Sequence, residues 1–421
     1  MNDIAVDVLI IGAGPSGCVA SAYLKNNGIS CKVVEKSKFP RFVIGESLLP
    51  RCMDHFEETG LLDCLMEQNY EIKAGARFLK DGIVCNFDFG QKHTPGWDYT
   101  WQVPRADFDN TLAKEIVKKG VDISFGHEVT AVEFNGPFDS AQGAGNSTTT
   151  VKDENGDEYK IHAKFIIDSS GYGRVLPRLL DLDKPSSLEA NSAIFTHVGE
   201  PDRPEGVEGT IITFDVVKDE VWLWVIPFSN GNTSIGFVGP TEFIESYEGT
   251  NAEKLREMLK ISDYYYDRLK DLDFLFEPHI IKNYSKAVKQ LYGKGYALTG
   301  NSAEFLDPVF SSGVTFATES GIKAAKLITK ELRGENVDWE KDYTGYIMRG
   351  VDVFRTYVSE WYTGNLQKIF FHRPENPVIK EQICAVLAGY VWDETNPFVK
   401  NHDRLVKTVA KVIDMENEVA N

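Results

Sequence analysis

Residues 6–17 of the chain read Val-Asp-Val-Leu-Ile-Ile-Gly-Ala-Gly-Pro-Ser-Gly. The β-branched, apolar run ends abruptly at Gly12, which is typical of a buried parallel strand. Pro15 suits the first turn of a helix, and the Asn-Gly pair at 27–28 supplies its C-terminal stop. A second short strand is expected at 31–35. The opening residues therefore predict a strand–helix–strand unit of about 30 residues.

The glycines of this stretch form a G-x-G-x-x-G motif between the strand and the helix. In that context the first glycine makes the tight turn, the second lets the backbone approach a pyrophosphate, and the third lets helix and strand pack closely. The helix N-terminus offers N–H groups and a partial positive charge to phosphates. Glu35 follows Gly12 by 23 residues, at the place where an acid accepts hydrogen bonds from ribose hydroxyls. We expect a dinucleotide to be bound by Gly12, Ala13, Gly14, Pro15, Ser16, Gly17, Glu35 and Lys36.

This motif alone does not separate NAD from FAD. A single copy occurs, so the sequence predicts no second Rossmann unit dedicated to NAD(P)H.

Composition and charge exclude several classes of protein. The 421 residues carry 45 Lys and Arg against 63 Asp and Glu, a formal net charge of −18, which disfavours nucleic acid as a partner. No run approaches the roughly 18 apolar residues of a membrane span. Asp3 and Asp7 stand where a signal peptide would be positive. The six cysteines form no CxxC pair and the histidines show no metal-ligand spacing, so we expect a cytoplasmic protein without a metal site.

The rest of the chain divides by its patterning. Residues 165–173 are expected to form a buried strand that ends in a Gly-rich turn. Residues 135–150 are interpreted as an exposed loop, followed by a hairpin turn at 154–157. Between about 190 and 285 the pattern is strand-like, and beyond 334 it is helical. We predict a discontinuous cofactor-binding domain (1–85, 100–180 and 285–335), an inserted sheet domain that binds substrate (86–99 and 181–284) and a C-terminal helical region (336–421).

Two further segments resemble motifs of known flavoproteins. Residues 300–313, Gly-Asn-Ser-Ala-Glu-Phe-Leu-Asp-Pro-Val-Phe-Ser-Ser-Gly, resemble the second flavin-binding motif of glutathione-reductase-type flavoproteins, with Asn301 in place of the usual Asp. Residues 39–50, Phe-Pro-Arg-Phe-Val-Ile-Gly-Glu-Ser-Leu-Leu-Pro, resemble the flavin loop of flavin-dependent halogenases, within the wider flavoprotein monooxygenase and geranylgeranyl-reductase superfamily. The resemblance implies an α/β fold with a Rossmann-type FAD-binding domain. It implies further FAD contacts from Arg41, Ser47, Arg105, Val129, Gly300, Asn301, Asp307, Pro308, Ser312, Gly313 and Val314.

Two halogenase signatures also have counterparts here. The W-x-W-x-I-P motif is present as Trp222-Leu-Trp224-Val-Ile-Pro, and Lys73 lies in a segment similar to the one that carries the family's essential lysine. The resemblance implies that Trp222 and Trp224 obstruct the approach of substrate to the flavin. It implies that Lys73 passes the halogen from a peroxyflavin reaction to an electron-rich aromatic or pyrrole-type ring. Glu46 is a candidate buried acid beside the flavin.

Other interpretations of these residues stay open. The two tryptophans can be core residues of a strand buried on both faces, Lys73 can be an ordinary solvated lysine, and Arg41 and Arg105 can form surface ion pairs. Phe310 and Thr315 stand where related halogenases carry an acid and a histidine.

Hydroxylation by a monooxygenase, reduction of an isoprenoid double bond and a non-enzymatic flavin-stabilised binding protein are therefore alternatives to halogenation. The expected partners are a small-molecule or carrier-tethered substrate and a halide. The expected electron source is NAD(P)H, used directly or through a separate flavin reductase.

Overall fold

The computed structural model describes residues 3–134, 147–186, 188, 191–373 and 375–420. Its strands are β1 Ile4–Ile11, β2 Cys31–Glu35, β3 Glu71–Lys73, β4 Gly75–Lys80, β5 Ile83–Asp88, β6 Thr100–Gln102, β7 Asp122–Phe125, β8 Glu128–Phe134, β9 Ser147–Lys152, β10 Glu158–Asp168, β11 Asp183–Pro185, β12 Asn191–Gly199, β13 Thr213–Lys218, β14 Val221–Pro227, β15 Asn232–Pro240, β16 His279–Lys282, β17 Lys286–Val288, β18 Tyr292–Gly293 and β19 Tyr296–Leu298.

Its helices are α1 Pro15–Asn26, α2 Arg51–Thr59, α3 Leu62–Met66, α4 Arg105–Lys118, α5 Val175–Leu179, α6 Val207–Thr210, α7 Thr241–Glu245, α8 Asn251–Leu259, α9 Tyr266–Leu269, α10 Ser312–Leu332, α11 Gly345–Tyr362, α12 Asn365–Phe371, α13 Pro377–Leu387, α14 Pro397–Lys400 and α15 His402–Ala420. Within the described residues, no helix is long and apolar enough to span a membrane.

The first sheet contains the predicted strand–helix–strand unit. Its strand order is β18-β19-β10-β1-β2-β7, and β1 is parallel to both β2 and β10. Both neighbours of β1 end near the glycine turn, so the cofactor motif lies at the carboxyl edge of the sheet. The hairpin at 154–157 joins β9 to β10 as predicted. The expected loop at 135–150 is shorter, because Ser147–Lys152 is strand; residues 135–146 lie outside the described residues.

The second sheet has the order β16-β12-β15-β14-β13-β4-β5. Its first and last strands are far apart in sequence, and β4 pairs in parallel with β13. Residues 75–85 therefore belong to this sheet, whereas the domain boundary expected from the sequence assigns them to the cofactor-binding unit. That pairing joins segments more than 130 residues apart, which local patterning does not reveal.

Strand β14 is buried on both faces, and its side chains alternate between two cores. Trp222, Trp224 and Ile226 belong to the large core that also holds the first sheet. The intervening Val221, Leu223 and Val225 belong to a smaller core that packs against α8 and α9. The two-residue period of a strand therefore puts both tryptophans on one face, as predicted.

Helix α10 packs against α1, and the C-terminal helix α11 packs against the second sheet. Gly321 of α10 lies so close to α1 that an added Cβ would be 2.7 Å from the carbonyl oxygen of Ser16. Trp361 of α11 is fully buried and packs against Phe78 of β4, with ring centroids 5.4 Å apart. Burial of a side chain of this size contributes several kcal/mol, so α11 and the second sheet stabilise each other. The helical nature of this region is as predicted.

Candidate active site

A cavity of about 460 Å³ runs from the glycine turn after β1 to the tryptophans of β14. Most residues expected to bind a cofactor or to act in catalysis line it: Gly12, Gly14, Pro15, Ser16, Glu35, Lys36, Arg41, Glu46, Ser47, Arg105, Val129, Trp222, Trp224, Gly300, Asn301, Asp307, Pro308, Ser312, Gly313 and Val314. Within the described residues, Ala13, Gly17 and Lys73 are not part of that lining. The fold thus gathers residues from seven separate segments around one cavity.

The glycine turn shows why small residues are needed at this end. Gly12 has a φ of +102°, and an added Cβ would lie 2.5 Å from the carbonyl oxygen of Ser169. Gly17 faces Gly12, where a Cβ would lie 2.0 Å from the Gly12 carbonyl oxygen. Gly14 instead faces the cavity, with the Arg41 guanidinium 3.6 Å from the position of a Cβ. Its missing side chain leaves room for a ligand beside a cationic group.

Glu35 holds the turn in place. The N–H of Ala13 donates to its carboxylate at 2.9 Å, and the N–H of Ser37 donates to its other oxygen at 2.8 Å. Two acceptor sites of the carboxylate are thereby used, and Glu35 lines the cavity together with Lys36 and Val129.

A further wall of the cavity is built by the second motif. Ser311 has a left-handed backbone (φ +55°) and no side-chain hydrogen bond caps the following helix, so the first N–H groups of α10 are available at the cavity wall. A Cβ added to Gly313 would have no heavy atom within 4 Å, which leaves this side open. The carbonyl oxygen of Asn301 accepts from Arg174 at 3.0 Å, which fixes the main chain before the turn.

The flavin-loop segment is tied down by Arg105. Its guanidinium makes a paired contact with Asp109 at 2.9 and 3.1 Å and donates to the carbonyl oxygens of Ile44 and Gly45, both at 3.1 Å. Arg41 shares the same carboxylate at 3.0 Å. Both arginines therefore form ion pairs, but not on the surface, since Arg105 and Asp109 are buried and Arg41 is partly buried. Both side chains still line the cavity.

Lys73 is buried, which rules out the alternative of a solvated lysine. Its side chain is 1% exposed, its Nζ donates to the carbonyl oxygen of Leu48 at 2.8 Å, and it lies 5.7 Å from the ring centroid of Phe89. No carboxylate pairs with it among the residues that the structure describes. Burial lowers the pKa of the Lys73 ammonium from 10.5 to about 7. Ser47, the neighbour of its acceptor residue, lines the cavity.

Glu46 has a partner that the sequence does not predict. Nε2 of His197 donates to one of its carboxylate oxygens at 2.6 Å, and the histidine ring packs against Phe42, Phe228 and Phe276. The two residues are 151 positions apart, and no metal-ligand spacing or other motif marks His197 in the sequence. This contact joins the flavin loop to β12 of the second sheet.

The carboxylate of Asp307 is also held by protein groups. Tyr284 and Tyr362 donate to its Oδ2 at 2.8 and 2.9 Å, and the amide of Asn191 donates to the same oxygen at 3.2 Å. Burial raises the pKa of Asp307 against the effect of these donors. Asp307 thus lines the cavity with its Oδ2 held by three protein donors, and its expected contact with the flavin stays a prediction.

The cavity suits FAD by its open space at the glycine turn, its unpaired polar atoms and its apolar walls. One end offers the open space at Gly14 beside Arg41, as a pyrophosphate requires. In the flavin-loop segment that also lines the cavity, Ser47 Oγ and Glu46 Oε2 are buried without a hydrogen-bond partner among the described residues. Such atoms are costly unless a ligand or water satisfies them. Trp222, Trp224 and Phe214 supply the flat apolar walls that a flavin ring requires.

Comparisons with known proteins agree with this geometry. The chain is 28% identical to the 1H-pyrrole-2-carbonyl-[peptidyl-carrier protein] chlorinase of Pseudomonas fluorescens over 420 aligned residues, which cover 93% of this chain and 91% of that protein. The solved structure of a flavoprotein/dehydrogenase from Cytophaga hutchinsonii is 50% identical, with a TM-score of 0.94 over 98% of this chain and 100% of that one. A flavin-dependent brominase, 24% identical, shares the fold with a TM-score of 0.83 over 98% of this chain and 100% of its own.

The family model described as FAD binding domain matches residues 5–260, which include the glycine turn, the flavin loop and the tryptophan strand. FAD is the cofactor of this protein, and its fold is that of an FAD-dependent oxidoreductase. With the cavity and its glycine cradle, this match shows that the chain belongs to the FAD-binding domain family of flavoproteins.

Proposed function

We propose that this protein is a flavin-dependent halogenase that acts on an electron-rich aromatic or pyrrole-type ring. The observation that carries the proposal is the buried amine of Lys73, whose pKa is lowered to about 7 beside the flavin loop. A neutral amine at physiological pH is a nucleophile, whereas an ordinary lysine is almost wholly protonated there. The similarity to a pyrrole-carrier chlorinase supports the same activity.

Reduced FAD, when bound, supplies an oxidising equivalent from molecular oxygen that converts halide into hypohalous acid. Trp222 and Trp224 wall the cavity and keep an organic substrate away from the flavin. The Lys73 amine either donates a hydrogen bond to hypohalous acid or takes its halogen and releases water. In the second case the halogen passes to a ring carbon, and the proton displaced from that carbon restores the amine.

The direct test uses reduced holoprotein mixed with oxygenated buffer, with and without bromide, in the presence of phenol, pyrrole-2-carboxylate or carrier-bound pyrrole-2-carbonyl. Mass spectrometry of the products detects bromine by its isotope pattern. We expect bromide-dependent product from wild type and almost none from Lys73→Ala. Lys73→Arg should not restore it, because arginine stays protonated.

Lys80→Ala is the matched control, since this lysine of β4 pairs with Asp219 and Gln367 outside the cavity lining. Its product yield should equal that of wild type. A Lys73→Ala enzyme that brominates at a near-normal rate would refute the assigned role of Lys73. Oxygenated products without any bromide dependence would refute halogenation itself.

Two observations favour a second candidate, a monooxygenase or a reductase. Lys73 does not line the cavity within the described residues, and the 50%-identical solved structure is described as a flavoprotein/dehydrogenase. In that case the substrate meets the flavin in the space that Trp222 and Trp224 border. Incorporation of ¹⁸O from labelled oxygen identifies the hydroxylase, and anaerobic reoxidation of reduced protein by an isoprenoid alkene identifies the reductase.

The reductant and the form of the substrate belong to the same proposal. We infer that electrons come from NAD(P)H directly or through a separate flavin reductase. Anaerobic titration with NADH or NADPH distinguishes them: bleaching of the bound flavin by either nucleotide alone indicates direct reduction. A comparison of free with carrier-bound pyrrole-2-carboxylate shows whether the substrate is tethered, as the name of the chlorinase relative states for that enzyme.

A further inference from the structure

The two cavity-lining tryptophans of β14 are held in different ways. Nε1 of Trp224 donates to Ser234 Oγ at 3.1 Å on the neighbouring strand β15. Its ring also lies over Gly236, where an added Cβ would be 2.4 Å from the indole. Trp224 is therefore fixed within its own sheet.

Trp222 takes its hydrogen bond from another part of the chain. Its Nε1 donates to the hydroxyl oxygen of Tyr362 at 3.1 Å, and the two residues are 140 positions apart. Tyr362 ends α11, in the C-terminal helical region, and it is not part of the cavity lining within the described residues. The hydrogen bond thus joins a residue that lines the cavity to one that does not.

The Tyr362 hydroxyl is in turn oriented by Asp307. It donates to Oδ2 of this carboxylate at 2.9 Å while it accepts from Trp222, so a single hydroxyl is both donor and acceptor. Tyr284 shares the same oxygen, and the N–H of Val309 donates to Oδ1 at 3.1 Å. The direction of the chain, indole to phenol to carboxylate, is therefore fixed at every step.

We propose that Tyr362 is a positioning residue that sets the indole plane of Trp222, and thereby the wall that separates the flavin from the organic substrate. The barrier function of Trp222 rests on the proposed halogenase activity, but the anchoring of its indole does not. The C-terminal region takes part in this site through one phenolic oxygen. Without that oxygen, an indole N–H that is almost fully buried has no acceptor, and the ring must turn to find one.

Tyr357 provides a matched control on the same helix. It is buried, it lies five positions before Tyr362, and its hydroxyl has no hydrogen-bond partner among the described residues. Tyr357→Phe and Tyr362→Phe each remove one phenolic oxygen from α11. Only Tyr362→Phe removes a hydrogen bond to Trp222.

The test is NMR of protein labelled with ¹⁵N in its tryptophan indoles, recorded without FAD and repeated with it. The sequence has seven tryptophans, and Trp222→Phe assigns the Trp222 signal. In the unmodified protein we expect slow exchange of the Trp222 indole proton with D₂O. In Tyr362→Phe we expect the signal to shift and its proton to exchange on the order of fivefold faster or more, as loss of one hydrogen bond implies. Tyr357→Phe should leave this signal in place.

Fast exchange of the Trp222 indole proton in the unmodified protein would overturn the proposal, whether or not any variant folds. An unchanged Trp222 signal in a folded Tyr362→Phe protein would overturn it as well. Neither result depends on halogenation. Failure of the proposed function would show as absent bromide-dependent product in wild type, with the NMR result unaffected.

Discussion

Replacing Lys73 by methionine tests whether its amine is buried and unpaired, as the structure shows. Methionine has a similar length and no charge, so it removes the ammonium and keeps most of the packing. Wild-type Lys73 loses its preferred hydration on folding and gains one hydrogen bond, to Leu48. Its pKa falls from 10.5 to about 7 for this reason.

The sign and size of the effect follow from proton linkage. Between pH 7 and pH 10.5 the unfolded chain binds more protons at this lysine than the folded one, so the stability of wild type rises with pH across that window. The slope is about 1.4 kcal/mol per pH unit, and the full penalty of roughly 4 to 5 kcal/mol is present below pH 7. Lys73→Met has no such slope. The free energy of unfolding of Lys73→Met should therefore exceed that of wild type by a margin that shrinks by about 2 to 3 kcal/mol between pH 7 and pH 9.

The assay is urea denaturation of both proteins at pH 6, 7, 8 and 9, followed by circular dichroism. Lys32→Met is the control, because Lys32 is also buried but pairs with Asp122 at 2.6 Å. Since Lys32 keeps a charged partner on folding, Lys32→Met should not produce a gain in stability that fades as pH rises. Parallel pH profiles of wild type and Lys73→Met would refute the burial of an unpaired amine at this position.

Three further substitutions test the site and its supports. Gly14→Glu should abolish retention of FAD, read from the flavin absorbance after gel filtration, because a carboxylate would enter the space beside Arg41; full FAD occupancy would contradict the assignment. Gly236→Ala should lower the free energy of unfolding by about 1 to 3 kcal/mol through a clash with the Trp224 ring, and an unchanged denaturation midpoint would argue against that contact. Arg105→Lys should weaken FAD binding in a fluorescence titration, since lysine cannot bond Asp109 and two loop carbonyls at once; an unchanged dissociation constant would show that the loop keeps its shape without the arginine.

The sequence predicts those parts of the fold and site that depend on near neighbours. The glycine turn, its flanking strands and Glu35 lie within one strand–helix–strand unit, where spacing alone fixes which backbone groups meet. The tryptophan strand is similar, because a period of two puts Trp222 and Trp224 on one face whatever the strand packs against.

Contacts between distant segments have no such signal. The pairing of β4 with β13, the bond from His197 to Glu46 and the bond from Trp222 to Tyr362 each join residues more than 130 positions apart. No local periodicity marks these residues, and a lone histidine or tyrosine in a sequence has many ordinary interpretations. The burial of Lys73 also depends on other segments of the chain, since its neighbours come from the flavin loop and from β6. Tertiary packing, rather than residue type, decides its chemistry.

The C-terminal helices contribute polar contacts as well as apolar packing, and this bears on how the cavity keeps its shape. Tyr346 of α11 donates to Glu319 of α10 at 2.7 Å, and the same carboxylate accepts from His55 and Arg51, both at 2.9 Å. Burial opposes ionisation there, but the His55 and Arg51 side chains hold the pKa of Glu319 well below its usual range. A buried carboxylate with three fixed donors tolerates little displacement, because each lost partner leaves a charge or donor unsatisfied. The start of α11 is thus fixed to α10, whose first residues line the cavity, and Tyr362 at the other end of α11 accepts a hydrogen bond from Trp222. Since a helix is stiff over this length, α11 fixes the distance between its contact with Glu319 of α10 and its contact with Trp222 of β14.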